Sequence, residues 1–236
     1  MRVALTLAYD GSSYLGSQIQ TQTSNTIFGV LTQVCQKLGI DSKIVASGRT
    51  DKGVHATGQV CHFDLPDFWN DTTKLQKTLN TMLPQNIYVK AIVKVENDFH
   101  ARYGAKKRSY RYIIKTKQHN PFEANFVTFL ENTNFDTINK NIALFIGTHD
   151  FKNFMKQGSD INSTTRVIYK AFAYKHKEYV VLNFEANGFL RSQIRLMVAA
   201  LLNSTAKEIQ EKLLDIQNHK VKPAPSNGLY LSKIKY

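Results

Sequence analysis

With 236 residues, 42% apolar and 21% charged, the chain has an ordinary globular composition and the length for one large core or two smaller ones. Its 31 Lys and Arg against 18 Asp and Glu leave a formal charge of +13, a surplus that raises the potential over the whole surface and draws in polyanions. The longest wholly apolar run, Leu196 to Leu202, is far short of the ~20 residues of a bilayer helix, no basic amphipathic helix with an aromatic face argues for a membrane surface, and two separated cysteines, Cys35 and Cys61, offer neither a disulfide framework nor a zinc site.

The N-terminus, Met1 to Asp10, is too short and too soon charged for a signal peptide, so a cytoplasmic, reduced protein is expected. Val3 to Tyr9 alternates as a strand does, and Asp10-Gly11-Ser12-Ser13 turns the chain. Ile27, Leu31, Val34, Cys35 and Leu38 recur at helical spacing within Asn25 to Leu38, before Gly39. A short strand near Lys43 to Ala46 leads into a glycine-flanked loop. Strands over Gly58 to Leu65 and Ile87 to Val95 bracket a helix over Thr72 to Leu83, which Pro84 ends. In the second half, Ser109 to Lys115 is a strand with tyrosines and Phe135 to Ile146 an amphipathic helix. Val167 to Tyr174 and Tyr179 to Glu185 make a hairpin. Helices over Gly188 to Leu202 and Ala206 to Asp215, a proline-bearing loop and a last strand from Gly228 to Ile234 complete the chain. The pattern predicts an α+β fold of two related α/β sandwich subdomains, residues 1–103 and 104–236, with mostly antiparallel sheets that can join into one. The repeat shows in element order only.

The most informative stretch is Gly48-Arg49-Thr50-Asp51-Lys52-Gly53-Val54-His55-Ala56. Glycines let such a loop pass close to a ligand. If the backbone is extended, Arg49 and Asp51 point to one side, and the cation keeps the carboxylate charged and available as a nucleophile. On these residues alone, a solvated turn with a surface ion pair outweighs catalysis. Lys106, Lys107, Arg108 and Arg111 form the densest basic cluster, beside Tyr110, and suit an RNA backbone as well as plain solvent. Tyr110 and Tyr112 alternate, so one of the two is a candidate core residue. Arg191 and Arg195 are four apart and are expected to share a helix face opposite Leu190, Ile194 and Met197. Asp150 and Phe151 read equally as a helix cap and a core aromatic.

The loop around Asp51 resembles the signature of the tRNA pseudouridine synthase A (TruA) family. Further matches follow in family order along nearly the whole chain: Tyr9-Asp10-Gly11, Phe99-His100-Ala101-Arg102, Tyr110-Arg111-Tyr112, His149-Asp150-Phe151, Thr164-Thr165-Arg166, Phe189-Leu190 with Arg195, and Gly228-Leu229-Tyr230-Leu231. Two places depart from the pattern. Gly16-Ser17-Gln18 has Ser where family members usually carry Trp, and the neighbours of Arg195 differ. The resemblance implies a pseudouridine synthase fold with a catalytic cleft between the two subdomains, and isomerisation of uridine in the anticodon stem-loop of tRNA, at positions 38, 39 and 40. It implies Asp51 as the nucleophile, attacking the uracil ring or the ribose anomeric carbon. Arg49 is then its partner in the vacated space, and Tyr110 stacks on the flipped base and takes part in proton removal at C5. Arg195, Arg166, Lys106, Lys107, Arg108 and Arg111 are expected on the tRNA side. An isomerisation without redox change implies no cofactor and no metal, and the family implies a homodimer. Two alternatives stay open: a pseudouridine synthase for another RNA site, and a non-catalytic RNA-binding protein on the same scaffold, against which Asp51, Arg49 and Tyr110 together argue.

Overall fold

Alternation shapes the first strand, β1 (Arg2–Tyr9), whose Val3, Leu5, Leu7 and Tyr9 are all buried. The computed structural model describes residues 1–131, 133–158 and 162–236. They fall into two units, one of Met1–Lys106 with Tyr230–Tyr236, the other of Lys107–Leu229.

In the first unit, β1 is followed by α1 (Ile27–Lys37), β2 (Val45–Ala46), β3 (His55–Asp64), α2 (Thr72–Met82) and β4 (Ile87–Lys94). Thr26 caps α1 by accepting the Gly29 amide at 3.1 Å, and Ile27, Leu31, Val34 and Cys35 line its buried side. Gly39, at φ 72°, lets the chain leave the helix. Asp71 caps α2 through the Thr73 and Lys74 amides, and Leu75 and Leu79 are its buried residues. Asn80 locks α2 to β4 by donating to the Val89 carbonyl and accepting from the Val89 amide. β1 lies antiparallel between β3 and β4, with Val3 opposite both Phe63 and Lys94. β3 begins three residues before the expected Gly58, so His55 is already in the strand.

In the second unit, β5 (Lys107–Lys115), β6 (Thr128–Phe129), α3 (Phe135–Asn141), β7 (Gly147–Asp150), β8 (Thr165–His176) and β9 (Tyr179–Ala186) precede α4 (Gln193–Asn203) and α5 (Ala206–Leu213). The sheet order β5-β9-β8-β7 is antiparallel throughout, and β6 adds in parallel to β5. Lys177, at φ 54°, turns the β8–β9 hairpin. A capping box between Thr205 and Glu208 starts α5. The last strand, β10 (Leu229–Lys235), runs parallel to β3 in the first unit, with Tyr230 opposite His55 and Leu231 opposite Ala56.

The fold is mixed α+β with mostly antiparallel pairing. Several details differ from the sequence reading. The contact boundary falls at Lys106 instead of residue 103, and backbone pairing returns Tyr230–Tyr236 to the first unit. The helix expected from Gly188 starts only at Gln193, because Ser192 adopts a left-handed φ of 59° that interrupts a helical path. Arg191 is therefore outside α4 and shares no helix face with Arg195. The helix expected over Phe135 to Ile146 tightens after Asn141 into a 3-10 turn, Ile142–Phe145. Asp150 ends β7 and accepts the Lys152 amide at 2.9 Å, but the N-cap position of the 3-10 turn that follows, Lys152–Phe154, is Phe151, which is fully buried, so only the core-aromatic half of that reading holds.

Candidate active site

The loop between β2 and β3 is braced along its length. The Ser47 hydroxyl donates to Gln59 Oε1 at 2.6 Å, and the Gln59 side-chain amide donates to the Gly48 carbonyl at 2.9 Å. Thr50 is buried. Its hydroxyl shares a 2.8 Å hydrogen bond with the Tyr9 phenol, which burial pushes up to about 12, so Tyr9 stays a neutral partner. Ser17 grips Thr50 twice: the Ser17 amide donates to the Thr50 carbonyl at 3.1 Å, and the Thr50 amide donates to the Ser17 hydroxyl at 2.8 Å. Gly16 permits this approach. It sits at φ 105°, and a Cβ there would lie 3.1 Å from the Thr50 carbonyl oxygen. The Val54 amide then donates to the Asp51 carbonyl at 3.1 Å, closing a turn through Gly53 at φ 75°.

This framework leaves Asp51 half-buried between buried Thr50 and exposed Lys52. Asp51 opens the turn, and Arg49, two residues before it, is exposed. Immediately after the turn, His55 Nδ1 accepts the Gly11 amide at 3.1 Å, and its ring stacks on Tyr230 with centroids 4.7 Å apart. The Asp10 carboxylate is 3.1 Å from the same nitrogen and accepts the Ser12 amide at 2.9 Å.

In the second unit, Tyr110 on β5 lies opposite Phe184 and meets Phe189 edge-on, with centroids 5.3 Å apart. It is half-buried, whereas Tyr112 is fully buried, with its hydroxyl bonded to Thr128 Oγ1 at 2.7 Å and to the Pro225 carbonyl at 2.9 Å. Tyr112 is thus the core tyrosine of the pair. Strand alternation divides the basic cluster. Arg108 shares the Tyr110 side of β5, while Lys107 and Arg111 project from the other, where Lys107 lies 3.6 Å from Glu185 and covers the Tyr169 ring. Lys106 precedes the strand, and its amide donates to the Lys235 carbonyl.

Arg108 donates to the Asn187 carbonyl at 2.9 Å, and Arg166 on β8 is held by the Ser163 and Thr165 carbonyls. Burial, and then the charge of Arg108, lowers the Arg166 pKa, so this corner concentrates positive potential. Arg195, on α4, donates through Nε to the Ala224 carbonyl at 2.6 Å, and its own carbonyl accepts the Ala224 amide, pinning the proline-bearing loop.

Among the described residues, no group of three or more His, Cys, Asp or Glu is placed to hold a metal, and no helix is long and apolar enough to cross a membrane. Burial raises both thiols, that of Cys35 to about 12, which leaves them unreactive.

The tRNA pseudouridine synthase family profile matches residues 6–104 and 142–236, which contain both the Asp51 loop and the Arg166 and Arg195 segments. The chain belongs to the tRNA pseudouridine synthase family. This synthase is 39% identical to tRNA pseudouridine synthase A of Campylobacter jejuni (strain RM1221) over the full length of both chains. It is 36% identical to tRNA pseudouridine synthase A of Wolinella succinogenes, covering 98% of this chain and 92% of that one. Against the protein of the same name from Limosilactobacillus reuteri (strain DSM 20016) the identity is 35%, covering 100% and 96%. A chain from the crystal structure of a Cbf5-Nop10-Gar1 complex matches at a TM-score of 0.40 and 11% identity, over 85% of this chain and 45% of that one.

Sequence reading passed over Ser47, Gln59 and Thr50 as functional supports. Nothing in the local pattern marks Gln59, which alternation alone would class as one more strand residue. For Ser17 a signal existed, its departure from the family's usual Trp.

Proposed function

We propose that this tRNA pseudouridine synthase, an isomerase acting on tRNA, works on the anticodon stem-loop at positions 38, 39 and 40, in the cytoplasm, as a homodimer, with the Asp51 carboxylate as nucleophile. The observation that carries this reading is the placement of Asp51: it follows a buried residue whose two flanking peptides are hydrogen-bonded, and it is half-buried while Arg49 and Lys52 on either side are exposed. A carboxylate on so constrained a loop retains little freedom to lose when it meets a substrate.

The reaction breaks the N1–C1′ glycosidic bond and forms a C5–C1′ bond. C5 gives up a proton and N1 gains one, so atoms and charge balance without a redox partner. The target uridine leaves its stack at a cost of a few kcal/mol. In this reading it stacks on Tyr110, whose exposed portion offers a ring face and a hydroxyl for the C5 proton. Asp51 attacks the ribose C1′ or the uracil ring to release the base for rotation. Arg49, which is exposed, turns toward the vacated space on tRNA binding. Arg108, Arg166 and Arg195 supply cations to the phosphates.

Incubation with tRNA transcripts carrying tritium at C5 of uridine tests the reading. The wild type is expected to release tritium in proportion to positions 38 to 40 modified, and Asp51→Ala to release none. Release by Asp51→Ala, or modification mapped elsewhere in tRNA, overturns the assignment. Sedimentation of the free protein at twice the 26.9 kDa chain mass is expected for the homodimer.

A further inference from the structure

We propose that Ser17 is a positioning residue for Asp51, and that its hydroxyl sets the carboxylate's location through the backbone of Thr50. The proposal rests on the reading of Asp51 as nucleophile. Ser17 is 1% exposed. Its hydroxyl accepts the Thr50 amide at 2.8 Å, and its amide donates to the Thr50 carbonyl at 3.1 Å. The first bond fixes the peptide between Arg49 and Thr50. The second fixes the peptide between Thr50 and Asp51, which contains the Asp51 nitrogen. Both torsions of Thr50 are therefore clamped, and with them the point from which Asp51 departs.

The clamp is anchored to a rigid element. The Ser17 carbonyl accepts the Phe28 amide at 3.0 Å, and the Gly16 carbonyl accepts the Ile27 amide at 3.2 Å, so residues 16 and 17 sit on the first turn of α1. That turn is independently capped by Thr26. On the far side, Tyr9 of β1 holds the Thr50 side chain. Thr50 is thus gripped by a helix start through its backbone and by a strand through its hydroxyl. Losing the Ser17 hydroxyl leaves the Thr50 amide buried without its acceptor, and the loop then relaxes by moving the peptide that leads into Asp51.

The test is steady-state kinetics of tritium release from C5-labelled tRNA by the wild type, Ser17→Ala, Ser17→Thr and Asp51→Asn. Ser17→Ala is expected to lower kcat ~10- to 100-fold, the scale of a small misplacement of a reacting group, with KM for tRNA within about twofold of the wild type. Ser17→Thr, which keeps the hydroxyl, is expected to recover most of kcat. Asp51→Asn is expected to be inactive. If Asp51→Asn is inactive but Ser17→Ala keeps the wild-type kcat, the clamp fails and the catalytic reading stands. If Asp51→Asn keeps its activity, the catalytic reading fails and the clamp fails with it. Should Ser17→Ala not fold, amide hydrogen exchange of the wild type decides: the Thr50 amide is expected to be strongly protected, and exchange as fast as that of an exposed loop amide overturns the proposal.

Discussion

Gly11 and Val54 approach so closely that a Cβ on Gly11 would stand 2.1 Å from the Val54 carbonyl oxygen. The contact joins the turn after β1 to the residue that closes the Asp51 turn, and the Gly11 amide also bonds His55. Backbone meets backbone, so no flexible side chain can yield. Gly11→Ala is expected to cost ~2–3 kcal/mol in urea unfolding and to lower tritium release further than stability alone explains. Gly188→Ala, whose added carbon would meet only the Arg166 side chain at 3.6 Å, is expected to unfold at nearly the wild-type urea concentration. Equal midpoints for the two variants would contradict the account of Gly11.

The two tyrosines of β5 should separate into a reaction residue and a stability residue. Tyr112→Phe strands the Pro225 carbonyl and one partner of Thr128, so it is expected to cost ~1–2 kcal/mol in stability with kcat unchanged. Tyr110→Phe keeps the ring and its edge contact with Phe189. It is expected to leave the melting temperature within a degree or two and to lower kcat ~100-fold, the size of a lost proton transfer. The reverse pattern would reassign the pair.

Much of the architecture was legible because the segments that announce themselves, β1, α1, α2 and the β8–β9 hairpin, have strong periods or caps in their own residues. The misses have physical causes. β6 and β7 are two and four residues long, too short for a period to register. The late helix lost its first turn because Ser192 takes a left-handed conformation that its residue type does not announce. The return of β10 to the first unit depends on pairing with β3, some 175 residues away in the chain, which no local pattern encodes. In the site, Asp51 stood out through the family resemblance of its loop, since on the loop's residues alone a solvated turn outweighed catalysis. Its bracing did not, since Ser17, Tyr9 and Gln59 reach the loop through distances in sequence that only the folded backbone closes. The compact basic cluster read from residues 106 to 111 is divided by the alternation of β5, a consequence available from the strand itself.

That division predicts unequal contributions to tRNA affinity. Arg166 and Arg108 lie together, and the lowered Arg166 pKa reflects burial and their mutual repulsion. A phosphate placed there relieves that repulsion. Arg166→Ala is expected to weaken tRNA binding and to reduce the slope of log Kd against log salt by about 1. Arg111→Ala, on the opposite side of β5 from Tyr110, is expected to leave the slope unchanged. Filter binding between low and moderate salt measures both, and a slope change confined to Arg111→Ala would place the tRNA on the other side of the strand.

Acid stability of the second unit should depend on Glu123. Hydrogen bonds from Lys115 and then Tyr179 hold its carboxyl below the ordinary value of 4.5. A depressed carboxylate contributes stability that is complete above its unfolded value and is lost as pH falls through that value and then through the folded one. The buried Lys115 ammonium, also 3.3 Å from Glu178, keeps its charge throughout this range, so protonating Glu123 removes one of its two counter-charges. Glu123→Gln is expected to melt below the wild type at pH 7, and the gap is expected to close as both are titrated toward about pH 3. Other carboxylates depressed by cations, Asp64 by Arg2 and Asp215 by Lys152, lower both curves together and cancel in the difference. Melting curves by circular dichroism at intervals of pH give the comparison, and a gap that stays constant with pH would show that Glu123 acts through packing and not through its charge.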